Sequence, residues 1–133
     1  MTEPTALEQA GLEQVGPDQI RLTGLRVRGF HGVLPAERRD GQDFVVDAVL
    51  WLDVREAAAA DDLALTVDYG LLAERLAAVI EGDPVDLIET LASRLAELCL
   101  SDPRVGCAQV TVHKPSAPIA RTFADVSVTV RRP

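Results

Sequence analysis

Lysine is all but missing from this chain of 133 residues: Lys114 stands alone against twelve arginines. Guanidinium stays protonated at any pH a protein meets, whereas an ammonium can give up its proton, so among the lysine and arginine side chains only one can turn into a base. Positive charge is short overall. A net charge of -8 and a pI near 4.6 exclude a general positive field for nucleic acid or anionic lipid, and favour small molecules or protein partners. The two cysteines, Cys99 and Cys107, have no C-x-x-C spacing, which argues for reduced core thiols rather than a disulfide or a metal pair. No apolar run approaches the roughly 20 residues that span a bilayer. The first residues lack the basic start and apolar stretch of a signal peptide, so the cytoplasm is the expected location. Neither His31 nor His113 has a second histidine or a cysteine at ligand spacing, and no Gly-rich phosphate loop or G-x-S-x-G string occurs. No metal or cofactor is therefore expected.

What is present reads as one domain, preceded by a polar, acidic tail over residues 1–17 that holds too few large apolar groups to order itself. From Asp18 onward, Ile20 and Leu22 alternate with polar residues, Gly24 interrupts, and Leu25 and Val27 resume on a slipped phase, the pattern of a bulged strand. After a turn-rich linker, Phe44, Val46, Ala48, Leu50, Leu52 and Val54 share one face at period two, with Asp47 and Asp53 on the other. Asp68 is a helix N-cap, followed by Leu72, Leu76, Val79 and Ile80 at helical spacing and then Gly82. A second helix repeats Leu87, Leu91, Leu95 and Leu98, with Pro84 near its start and Pro103 past its end. Two more strands, in RVGCAQVTVH and FADVSVTVRR, complete a β-β-α-α-β-β order. Two amphipathic helices can cover one face of a four-stranded antiparallel sheet, which makes the fold class α+β. The other face and both edges stay open, and oligomerisation is one way proteins cover such edges.

Four polar residues fall at element ends or in loops, where scaffolded sites are built: Glu37, Tyr69, Glu89 and Lys114. Taken singly, each has an ordinary explanation. Glu37 suits a solvated loop, Tyr69 a half-buried ring, and Glu89 the dipole of a helix start. A carboxylate at that position also suits a cyclic amidine, accepting two parallel N–H bonds. Lys114 ends a strand, immediately before Pro115 stops the ladder. Arg38 and Arg39 beside Glu37 are candidates for local ion pairs with it.

Read together and in order, the strings FHGVLPAE, DGQ, TVDY, LIETLA and VHKPSAPI resemble the dihydroneopterin aldolases of folate biosynthesis, over a span from about Ile20 to Arg132. The resemblance implies the tunnelling fold, with subunits joined into tetrameric rings that stack as an octamer and active sites between neighbours. It implies an aldolase that splits 7,8-dihydroneopterin into 6-hydroxymethyl-7,8-dihydropterin and glycolaldehyde, without a Schiff base or a metal, because the ring C=N bond can take up the electrons. In that reading Lys114 is the acid and base, Tyr69 the proton-relay hydroxyl from an adjacent subunit, and Glu37 lies near the substrate side chain. Glu89 holds the aminopyrimidinone edge with help from the Ile88 backbone, and the backbone at Thr66 and Val67 lines the pocket. Two alternatives stay open at this point, an epimerase acting on dihydroneopterin or its triphosphate, and a non-catalytic oligomer binding pterins or purines. The second would need neither Lys114 nor Tyr69 as a proton carrier.

Overall fold

The computed structural model describes residues 15–133. Residues 1–14 of the expected tail lie outside the described residues. The chain runs β1 (Asp18–Gly29), α1 (Pro35–Asp40), β2 (Gln42–Leu52), α2 (Arg55–Ala60), α3 (Tyr69–Glu81), α4 (Ile88–Leu100), β3 (Cys107–His113) and β4 (Ser127–Arg132), with a 3-10 turn at Leu63–Leu65. All four strands form one antiparallel sheet in the order β1-β2-β3-β4.

The period-two pattern of β2 sets the register. Phe44, Val46, Ala48, Leu50 and Leu52 are all fully buried on the face that receives the helices. Their β1 partners are Val27, Leu25, Leu22, Ile20 and Asp18, and the pairing slips between Leu22 and Leu25. Gly24, at φ 75°, sits in that slip with its N–H on Asp47 Oδ1 at 2.8 Å. The extra residue lets apolar side chains on both sides of the bulge reach the same core. α3 packs on β1, α4 packs on β3 and β4, and the two helices touch each other, leaving the opposite sheet face free of these helices among the described residues.

Asp68 caps α3 as its sequence suggests, accepting the Leu71 N–H at 3.1 Å. α4 departs from the expected leucine ladder. Leu87 precedes the helix as its N-cap and is half exposed, while Ile88, Leu91, Ala92, Leu95, Ala96 and Cys99 form the buried stripe. A side chain one position before the first turn has no helical neighbour to hold it against the core. Two six-residue helices go beyond the expected elements, α1 in the linker that reads as turns and α2 in a stretch with no expected element, because so short a run carries too few apolar positions to show a 3.6-residue period. Cys99 and Cys107 are buried free thiols, and burial pushes the Cys99 thiol up to about 11. Among the described residues no helix is long and apolar enough to cross a membrane.

Candidate active site

The site begins where β1 ends. Gly29 carries no Cβ because one would lie 2.9 Å from both the His31 ring and the Ile80 carbonyl oxygen. That space admits His31, which is almost fully buried. Its Nδ1 accepts the Val85 N–H at 3.0 Å, so the proton is on Nε2, which donates to Ile80 O at 2.7 Å. Burial pushes the imidazole below its ordinary value, opposed in part by the bond to Ile80, and the ring meets Phe44 edge-on at 5.3 Å. Gly32 N–H donates to Val85 O at 3.0 Å. The F-H-G string thus pins the loop after β1 to the segment joining α3 and α4.

α1 starts directly after this clasp, with Pro35 at its first position. Glu37 lies one turn inside and points back into the fold against Gly32, where an added Cβ would come 2.4 Å from Glu37 Cδ. Its Oε1 accepts the Leu34 N–H at 3.3 Å, and its Oε2 accepts Gln42 Nε2 at 3.1 Å and Lys114 Nζ at 2.5 Å. Glu37 and Lys114 are each only 9% exposed. Burial alone pushes the Glu37 carboxyl up. The bonds from Lys114, Leu34 and Gln42, together with the lysine charge, outweigh it and hold the group below the usual carboxylate range. Gln42 Oε1 is buried and has no hydrogen-bond partner among the described residues, leaving an acceptor beside the pair.

Lys114 reaches this corner by strand alternation. His113 turns to the helix-free face and Lys114 to the other, with the Lys114 N–H bonded to Val126 O at 2.8 Å. Arg38 and Arg39 do not pair with Glu37. Arg38 binds Asp86 Oδ1 at 2.5 Å and Gly32 O at 2.9 Å, and Arg39 binds Asp40 at 2.9 Å. The Arg38–Asp86 bridge ties α1 to the residues leading into α4 across an open cleft lined by Val33, Pro84, Val85, Leu87 and Thr90. Ile88 is buried and Glu89 exposed in the first turn of α4, at this same end of the helical layer. Leu87, the N-cap residue, offers that helix start no side-chain hydrogen bond.

Val67 and Tyr69 are elsewhere. Tyr69 opens α3, whose far end at Ile80 touches His31; eleven residues at a rise of about 1.5 Å place them roughly 16 Å apart. Val67 is buried and Tyr69 is 64% exposed. Beside them lies a second cleft, lined by Thr66, Val67, Leu71, Leu98, Cys99 and Asp102, at the C-terminal end of α4. One copy of the chain therefore brings Glu37 and Lys114 together, with Ile88 and Glu89 at the same end, and keeps Val67 and Tyr69 at the other. Gln42, His31 and Arg38 also build this corner. Of these, only the DGQ and FHG strings hinted at a role, and nothing local in the sequence marks their partners.

The family model for dihydroneopterin aldolase matches residues 20–131, a span holding Glu37, Val67, Tyr69, Ile88, Glu89 and Lys114. A dihydroneopterin aldolase of Streptomyces coelicolor is 58% identical over 113 residues, covering 85% of this chain and 95% of the relative. One of Bacillus subtilis is 37% identical over 115 residues, with 85% and 95% covered. The crystal structure of Escherichia coli dihydroneopterin aldolase in complex with neopterin superimposes with a TM-score of 0.80 at 32% identity, covering 87% of this chain and 99% of that one.

Proposed function

The chain belongs to the dihydroneopterin aldolase family and is an aldolase of folate biosynthesis, and from that premise we propose that Lys114 carries the proton of the cleavage in a pocket completed by Tyr69 of a second copy. The observation that carries this reading is the buried contact of Lys114 Nζ with Glu37 Oε2 at 2.5 Å. That contact supports the reading because the chain's one lysine amine lies in a sheltered corner beside a carboxylate held ionised.

Cleavage of 7,8-dihydroneopterin breaks the bond between the first and second carbons of the side chain. The proton of the 2'-hydroxyl must leave, the second carbon departs as the aldehyde of glycolaldehyde, and the bonding pair moves into the ring C=N. A proton then adds to the first carbon and restores that C=N, giving 6-hydroxymethyl-7,8-dihydropterin. The net change moves one proton from oxygen to carbon, a task for one amine working first as base and then as acid. Lys114 does this, with the Tyr69 hydroxyl as relay. The substrate's own ring takes up the electrons, so neither Schiff base nor metal is required. Glu37 orients the amine, and Gln42 Oε1 is placed to accept from a side-chain hydroxyl. Glu89 and the uncapped N–H groups at Ile88 and Glu89 take the aminopyrimidinone edge. Neopterin in the E. coli structure is a ligand of that chemistry.

The separation of Tyr69 from Lys114 supports assembly. Around the Glu37 end, Val33, Leu34 and Leu87 are exposed apolar residues; around the other, Leu63, Tyr69 and Leu71 are. Two different apolar patches at opposite ends of a subunit suit head-to-tail contacts, which close into rings. Among the described residues β1 and β4 are unpaired on their outer sides, available to extend the sheet around such a ring, as tetramers that stack to octamers. A cytoplasmic site of action fits the two free thiols. Co-assembly of Lys114→Ala with Tyr69→Phe subunits tests the shared pocket. Each variant alone should release almost no glycolaldehyde, while mixed oligomers should recover a fraction set by the chance of one intact pair per interface. Mixed oligomers with no recovery would contradict it.

A further inference from the structure

On the helix-free face of the sheet, directly behind Lys114, His113 lies between two carboxylates. Its Nε2 is 2.7 Å from Asp47 Oδ2 on β2, and its Nδ1 is 2.7 Å from Asp125 Oδ2 just before β4. A neutral imidazole has one N–H and would turn a lone pair toward one of these oxygens, so only the imidazolium donates to both. The chain of contacts continues. Asp47 also holds the Gly24 N–H in the bulge of β1, at 2.8 Å. On the far side, the residue after Asp125 accepts the Lys114 N–H, at 2.8 Å. The His113–Asp125 and Lys114–Val126 pairs are therefore consecutive rungs that close the foot of the 115–125 loop, beyond which Pro115 offers no ladder donor. When protonated, this one ring ties β1, β2, β3 and the entry to β4 at the point where the amine leaves the backbone.

We propose that His113, as an imidazolium clamped by Asp47 and Asp125, is a positioning residue that fixes the direction in which Lys114 presents its amine to Glu37 and the substrate. The inference rests on the reading of Lys114 as the proton carrier. It adds that turnover needs a second ionised group which never touches the pterin. Other charges facing the ring are few. Arg26 of β1 lines the same hollow and pairs with Asp43 at 3.7 Å, Ser127 opposite on β4 is uncharged, and Lys114 is turned to the other face. The bonds from Asp125 and Asp47 hold the His113 imidazole above its ordinary value against a small effect of burial. When pH rises past that midpoint the ring keeps one donor, one carboxylate is released, and the loop foot loosens.

The experiment follows the ring and the rate together in the full-length enzyme. The chain has two histidines, so His31→Gln assigns the ring resonances in NMR titrations. The His113 midpoint should lie above 6.5, and the isosteric, surface-compatible Asp125→Asn should lower it. The alkaline limb of kcat should move down by the same interval, while KM and neopterin binding stay near wild type. His113→Asn should lower kcat on the order of 10- to 100-fold, the penalty of a misplaced catalytic group, again with binding kept. A kcat profile that stays in place while the His113 midpoint moves overturns the proposal, as does wild-type kcat in His113→Asn. Lys114→Arg in parallel separates the two claims: an active Lys114→Arg enzyme sinks the proton-carrier reading itself, whereas an inactive one with an unmoved kcat profile sinks only the clamp.

Discussion

Replacing Glu37 by glutamine isolates the buried pair. The side chain keeps its shape against Gly32, so steric change is minimal. The chemistry is not kept. Glu37 Oε1 accepts the Leu34 N–H and Oε2 accepts both Gln42 and Lys114, and a single amide oxygen cannot serve both sides. With its oxygen toward Lys114, the glutamine presents an NH2 to the Leu34 N–H. Breaking a buried ion pair by removing one partner is destabilising by about 3 to 5 kcal/mol. The glutamine keeps the side-chain volume against Gly32 and one acceptor oxygen toward Lys114, so the lower end, about 3 kcal/mol at pH 7, is the expected loss. For a chain of this size that is a Tm drop of about 12 °C. The pH dependence fixes the cause. Glu37 has a folded-state pKa lowered from 4.5, so its stabilisation is fully present above 4.5 and disappears as pH falls through the folded value. Urea unfolding of wild type and Glu37→Gln from pH 7 to pH 3 should show a gap that closes in acid. A gap under about 1 kcal/mol at pH 7, the worth of an exposed pair, or one that persists unchanged at pH 3, would refute the reasoning.

Gly32→Ala places a methyl 2.4 Å from Glu37 Cδ and must push the carboxylate off Lys114. Steady-state assays should find kcat reduced on the order of 100-fold while circular dichroism shows the fold retained. His31→Phe leaves the Val85 N–H and Ile80 carbonyl without partners; thermal melts should report a loss of about 2 to 4 kcal/mol. Because burial depresses the His31 pKa, wild-type stability linked to this ring is present above 6.5 and falls as pH drops below it. The His31→Phe protein should lack that segment of the pH–stability curve.

Much of this architecture was legible residue by residue, because its signals are local. The β2 alternation, the Gly24 slip, the Asp68 cap and the two long helices all follow from spacing over a few residues, and the structure has them where the pattern puts them. What failed to show was short or distant. α1 and α2 are too brief to carry a period, and Leu87 fits a heptad-like spacing yet lies one residue outside the helix it was grouped with. For the site, lysine scarcity singled out Lys114, and the ordered strings supplied Glu37, Tyr69 and Glu89. Their grouping depended on topology. Adjacency made Arg38 and Arg39 candidates to pair with Glu37, whereas the Arg38 guanidinium crosses to Asp86, 48 residues away, and Arg39 pairs with Asp40. The two histidines looked equally idle in the sequence, and their partners, 49 and 66 residues distant, give them different surroundings, a buried backbone carbonyl for His31 and a carboxylate for His113. Neither difference has a local signature.

The central claim is that an amine able to lose its proton, rather than a fixed positive charge, drives the cleavage at the Glu37 corner. The most direct measurement is single-turnover release of glycolaldehyde from 7,8-dihydroneopterin by Lys114→Arg, alongside neopterin affinity of the same protein. Near wild-type affinity with glycolaldehyde release abolished is the expected result. Release at the wild-type rate, with a guanidinium where the amine had been, would contradict it.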